Sequence, residues 1–311
     1  MDNKERYNQI KSLCSEFYSE MDKLVTQVFY NVNLTHSEYL NDLKNYLFGS
    51  SKQIRSCLIF LFAQNFGYKS TDTDIIKLAA AVEIIHNATL IHDDIIDNSA
   101  LRRGNIAMHE KYSNKLGVIS GDFLLSIALD LLLELPPIVM KNFASCLTSL
   151  CLGEISQYFS IKKTPTIDEY FKKSEQKTSS LFVAGLKSLI ELKYIKFDQE
   201  IKTFAIHFGR AFQIKDDLKN IISTDKNKPI LNDIEQGTYT LPVILAFGEN
   251  VDLSQEPSCK IIKKASNSDI ISNTIIFLNK EVLNTITSIE QFPINKYKNA
   301  ILELCKMLNI E

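Results

Sequence analysis

Asp93, Asp94 and Asp97 close a stretch that is otherwise mostly apolar from Ile75 to Ile91. At ~100° per helical residue, Asp93, Asp97 and His86 fall within an arc of roughly 40°, with Asp94 on the flank. Carboxylates are seldom buried without a partner, and two of them one turn apart repel unless something positive bridges them. Oxygen-only donors at this spacing suit Mg²⁺ or Mn²⁺, held by one or two carboxylates together with water and phosphate oxygens. A solvated acidic helix end would look the same, so this motif needs company.

A second polar stripe supplies it. Gln213, Asp216, Asp217 and Asn220 stand at i, i+3, i+4 and i+7, while Phe204, Phe208 and Phe212 lie on another face. Two acidic helix ends of this kind could clamp metal-bridged phosphates. Cations for the same chemistry occur at Lys52 and Arg55, at Arg102-Arg103-Gly104, at Lys177-Thr178 and at Lys228. Arginine suits bidentate phosphate contacts and lysine point-charge neutralisation.

Helices must carry these groups. Helix-period patterns recur with hardly a strand signal, and ten glycines and seven prolines in 311 residues leave little turn chemistry for a sheet protein. The expected helices are 4–32, 36–48, 52–66, 73–98, 118–134, 137–160, 167–191, 197–222, 240–247, 255–265, 269–290 and 295–309. Ser70, Thr71, Asp72 and Thr73 offer N-cap side chains to the fourth. Loops are expected near 67–73, 100–108, 164–166 and 224–238. No linker divides the chain, so residues 1–311 read as one all-α domain.

A hydrophobic content of 45% suffices for a single core. Thirty-five basic against 37 acidic residues give a net charge of −2, which points to neither nucleic acid nor an anionic membrane. The six cysteines form no CxxC pair, as suits free thiols in a reducing compartment. The first residues are charged, and the longest apolar run, Phe123 to Leu135, is interrupted by Asp130 and Glu134. A soluble cytoplasmic protein without a transmembrane segment is expected.

The order Gly49…Lys52…Arg55, His86, Asp93-Asp94-x-x-Asp97, Arg102-Arg103-Gly104, Gly121-Asp122, Gly153-Glu154…Gln157, Lys177-Thr178, Gln213…Asp216-Asp217 and Thr240-Leu241-Pro242 resembles the trans-isoprenyl diphosphate synthases, the polyprenyl synthetase family. The resemblance spans about residues 45 to 245. It implies an antiparallel helical bundle around a deep apolar cavity, a homodimer and Mg²⁺. It further implies metal donors in Asp93, Asp94, Asp97, Asp216 and Asp217. Lys52, Arg55, His86 and Arg103 would hold the diphosphate of isopentenyl diphosphate. Arg102, Lys177, Thr178, Gln213 and Lys228 would contact an allylic diphosphate, with Asp93, Asp97, Lys177 and Asp216 carrying the catalysis.

Family members that stop at farnesyl length tend to place a bulky ring four or five residues before the first aspartate. Here Ile85, Ala88 and Thr89 leave that flank without a ring, so a geranylgeranyl or longer product is expected. The chain departs from the family pattern at Ser50-Ser51, Gln53, Asn220 and Thr238, where glycines, a basic residue, an aspartate and a lysine are usual. Asn220 and Thr238 motivate a second reading, a weakly active or non-catalytic partner subunit of a heteromeric synthase. A class I terpene cyclase is a third, although Asn232-Asp233 is not followed by the usual pattern of its second site.

Overall fold

The computed structural model describes residues 3–32, 36–49, 51–222 and 234–310. Among these, nearly all regular structure is helical: α1 (Asn3–Leu13), α2 (Ser15–Asn31), α3 (Ser37–Phe48), α4 (Ile54–Asn65), α5 (Thr73–Ile96), α6 (Met108–Lys111), α7 (Asn114–Leu133), α8 (Pro137–Phe159), α9 (Ile167–Ser174), α10 (Ser180–Lys193), α11 (Asp198–Ile222), α12 (Leu241–Phe247), α13 (Ser258–Ala265), α14 (Ser268–Ser288) and α15 (Lys296–Lys306). A hairpin of β1 (Leu101–Arg102) and β2 (Asn105–Ile106) follows α5. The chain divides into two compact units. The first holds residues 1–142, 185–196 and 293–301, and the second 143–184, 197–292 and 302–311.

In the first unit α5 is the core. Of the four expected N-cap candidates, Asp72 serves: its Oδ1 accepts from Asp74 N at 3.2 Å and Ile75 N at 3.3 Å. From Ile75 to Ile91 most side chains are buried, each Ile or Leu contributing about 1.5–3 kcal/mol by leaving water. Helix α7 packs closely on α5, and a Cβ on Gly121 would lie 2.1 Å from His92 Nε2. Only glycine allows that approach. The stretch expected as one helix, 4–32, is instead broken at Cys14. There the N–H turns back to Lys11 O, three residues away, and the thiol lies 3.6 Å from Cys57 Sγ on α4.

In the second unit α9 opens with a reciprocal capping box, Thr166 with Glu169. The helix expected over 167–191 does not run through. Residues Glu175–Ser179 form a π-turn, closed by Ser180 N–H to Glu175 O, before α10 begins. Phe204 and Phe208 of α11 stack at 5.5 Å within the core, and α14 packs along α11. Among the described residues, three helices, α5, α7 and α8, are long and apolar enough to cross a membrane. In α5 most of that stretch is buried among the unit's own helices.

Candidate functional site

The C-terminal end of α5 gathers charge in the first unit. Asp97 N donates to Asp93 O at 2.8 Å, so the two carboxylates stand one turn apart, both half-buried. Asp94 behaves differently. It is 1% exposed, its Oδ1 accepts from Arg102 Nε at 2.8 Å and also from Arg102 Nη2, and its Oδ2 accepts from Tyr46 at 3.0 Å. The resemblance implies a metal donor in Asp94; in the structure both of its oxygens are engaged, by Arg102 and Tyr46. Burial pulls the Arg102 guanidinium down, but the hydrogen bond and charge of Asp94 outweigh it and hold its pKa above the ordinary value.

Arg102 and Arg103 owe their positions to the β1–β2 hairpin, which lies where an open loop was expected. Leu101 pairs with Ile106 and Arg102 with Asn105, leaving the two-residue loop Arg103-Gly104 with φ of 53° and 81°. Positive φ at both positions is the type I′ requirement, easily met by glycine and at a cost of about 1–2 kcal/mol by arginine. Arg103 Nη1 reaches Asn87 Oδ1 at 3.4 Å, and Asn87 is tied to Glu83 O at 2.8 Å.

His86 lies among these cations. Burial, then the charges of Arg55, Arg103 and Arg102, hold its imidazole well below the usual value, so it is a neutral hydrogen-bonding group beside three guanidiniums. Glu83, one turn earlier on α5, is buried and accepts from Ser56 N at 3.0 Å and Ser56 Oγ at 2.9 Å. It caps the start of α4 from another helix and so fixes the base from which Arg55 projects. The Lys52 side chain is exposed, and its carbonyl accepts from Tyr7.

In the second unit Lys177 and Thr178 lie inside the π-turn. Lys177 Nζ is 2.6 Å from Glu154 Oε1 and donates to Gln157 Oε1 at 3.0 Å. Thr178 Oγ1 donates to Gln213 Oε1 at 2.7 Å, and Gln213 Nε2 donates to Asp217 Oδ1 at 2.9 Å. Tyr170 donates to the other Asp217 oxygen at 2.6 Å. Asp217 is therefore also buried and engaged, whereas Asp216 and Asn220 are half-buried. Lys228 lies outside the described residues.

Burial pushes the Asp217 carboxyl up to about 7, against the opposing pull of its bonds from Tyr170 and Gln213. A raised folded-state pKa means stability is full below the unfolded value of 3.8 and is lost as pH rises through about 7. We expect the thermal midpoint of metal-free protein to fall between pH 5 and 8, and Asp217→Asn to flatten that fall. Differential scanning fluorimetry in chelator checks it.

Of the flank expected to govern product length, Ile85 and Ala88 have no accessible surface, whereas Thr89 is half-buried with Oγ1 bonded to His86 O at 2.8 Å. The sequence reading missed Tyr46, Tyr170 and the capping role of Glu83. Tyr170 stands 47 residues from Asp217, and no local pattern connects them.

Among the described residues no three His, Cys, Asp or Glu side chains converge on one point. Within the first unit, Asp93 and Asp97 offer two carboxylates one turn apart, the kind of pair that holds an oxygen-loving cation together with water and phosphate oxygens. Arg102, held by Asp94, brings a guanidinium to the same end of α5.

The fold is that of known prenyl diphosphate synthases. A decaprenyl diphosphate synthase from Rhodobacter capsulatus superposes with a TM-score of 0.87 at 21% identity, covering 97% of this chain and 98% of that one. A polyprenyl synthase from Caulobacter crescentus, complexed with calcium and isoprenyl diphosphate, gives 0.86 at 23% identity over 97% of both chains. The polyprenyl synthetase family model matches residues 37–275. A prenyl transferase of Cyanidium caldarium is 31% identical over 279 residues, covering 84% of this chain and 86% of that protein. An all-trans-nonaprenyl-diphosphate synthase (geranyl-diphosphate specific) of Rhodobacter capsulatus is 32% identical over 248 residues, 74% of this chain and 76% of that protein. The chain belongs to the polyprenyl synthetase family and is a trans-prenyltransferase.

Proposed function

We propose that the protein joins isopentenyl diphosphate head-to-tail to an allylic prenyl diphosphate, with Mg²⁺, giving a geranylgeranyl or longer polyprenyl diphosphate. The observation that carries this reading is the cluster of Arg55, Arg102 and Arg103 around neutral His86, beside the Asp93–Asp97 pair. Arg55, Arg103 and a neutral imidazole suit one diphosphate, and Arg102 beside the carboxylate pair suits a second, metal-bridged one.

Asp93 and Asp97 in the first unit, and Asp216 in the second, would serve as Mg²⁺ donors, the metal supplying charge neutralisation for a departing diphosphate when bound. Arg55, His86 and Arg103 hold the diphosphate of isopentenyl diphosphate, and Asp94 fixes Arg102 for the allylic one. Lys177, with Thr178 and Gln213, adds hydrogen-bond donors on that side. As the allylic C–O bond breaks, its electrons pass to the diphosphate and leave a delocalised carbocation. The isopentenyl C=C bond attacks that cation, and the proton lost from the adduct goes to the released diphosphate. Apolar walls must exclude water until the new bond forms. The nonaprenyl name of one relative and the ring-free flank of α5 support a long product. A homodimer is proposed on family grounds, and Leu152, Ile155 and Phe159 stand exposed on α8.

The test is incubation of purified protein with Mg²⁺, farnesyl diphosphate and labelled isopentenyl diphosphate. Lengthened labelled chains with equimolar diphosphate are expected. Cyclic hydrocarbon without incorporation, or incorporation only after a second subunit is added, would overturn the reading in favour of a cyclase or a partner subunit.

A further inference from the structure

Residues 246–311 carry no motif that sequence reading could use, yet α14 sends a carboxylate into the core of the second unit. Glu281 is 4% exposed. A carboxylate so placed needs partners, and it has two, both from α11: His207 Nδ1 donates to Oε2 at 2.6 Å, and Arg210 Nη1 lies 3.7 Å from Oε1. Arg210 does not stop there. Its Nε donates to Glu175 Oε1 at 2.8 Å, its Nη2 bonds the same oxygen, and its guanidinium lies 4.9 Å over the Phe171 ring.

Glu175 is the first residue of the π-turn that displays Lys177 and Thr178. A π-turn widens the helix by one residue per turn and leaves backbone carbonyls poorly served, so isolated turns of this kind need outside support. Here Ser180 Oγ serves Gln176 O at 2.7 Å, and Ser179 Oγ donates across to Ile206 O of α11 at 3.0 Å. Helix α11 comes this close because residue 209 is glycine: a Cβ there would lie 2.3 Å from Ser179 Oγ. The turn is therefore pinned to α11 at both ends, at Glu175 by Arg210 and at Ser179 by Gly209 and Ile206.

We propose that Arg210 and Glu281 are positioning residues for the allylic-diphosphate half of the site. Glu281 orients the Arg210 fork, Arg210 holds Glu175, and Glu175 fixes the π-turn that aims Lys177 and Thr178. Neither residue touches substrate. The inference rests on the reading of Lys177 and Thr178 given above, and it assigns α14 a part in substrate selection.

Its test exploits the two substrates. Glu281→Gln keeps shape and removes the charge; Arg210→Lys keeps charge and removes the planar fork. Both are expected to raise KM for farnesyl diphosphate about tenfold while KM for isopentenyl diphosphate stays within about twofold. Glu175→Gln, at a half-exposed position, should do the same and serves if either core variant fails to fold. Equal rises in both KM values, or no rise in variants with native thermal midpoints, would overturn the proposal. Wild-type protein that performs no condensation would instead sink the underlying functional reading.

Discussion

Asp93→Asn and Asp97→Asn should each lower condensation at least 100-fold while leaving the protein folded. Deleting one group that stabilises charge developing at a transition state costs about 3 kcal/mol or more, and these two carboxylates are the proposed metal donors on α5. The same substitutions relieve repulsion between like charges one turn apart, so the thermal midpoint should hold or rise slightly. Asp94→Asn should behave in the opposite way. It leaves Arg102 and Tyr46 without an anion, so stability falls as well as rate. Steady-state incorporation of labelled isopentenyl diphosphate, read beside circular-dichroism melts, separates the two patterns. A large loss of stability in Asp93→Asn would contradict its assignment as a metal-facing residue.

Thr89→Phe should shorten the product, for example from a long polyprenyl chain towards C15 or C20, without abolishing turnover. Thr89 is four residues before Asp93 and is the one member of the Ile85, Ala88 and Thr89 set that keeps accessible surface. A ring there replaces a side chain that keeps accessible surface, so it can be accommodated without repacking the core. Ala88→Phe is a different experiment, because Ala88 is fully enclosed and extra volume in a packed core costs about 1–3 kcal/mol. Reversed-phase chromatography of dephosphorylated products distinguishes them. Unchanged length in Thr89→Phe would show that the chain grows along some other surface.

The long helices were legible because their signals are local. α5 announces itself by an apolar run that begins at Asp72 and ends at three aspartates, and the Gln213–Asp216–Asp217–Asn220 stripe of α11 follows from spacing alone. What the aspartates do was not legible. One helical turn treats Asp93, Asp94 and Asp97 nearly alike, and only tertiary neighbours, Arg102 and Tyr46, single out the middle one. Asp217 is separated from Asp216 in the same manner, by Tyr170 on another helix. The π-turn at Glu175–Ser179 escaped because its residues have ordinary helical preferences; contacts from α11 impose it. The Arg103-Gly104 hairpin could have been suspected from Gly104, but arginine is an uncommon occupant of the left-handed position before it.

The absence of a side chain at Gly121 has a mechanical result. With the imidazole of His92 seated directly against the backbone of α7, any side chain at 121 would have to displace that ring or part the two helices. His92 immediately precedes Asp93, so the neighbour that a larger residue would push on is joined directly to the carboxylate-bearing tip of α5.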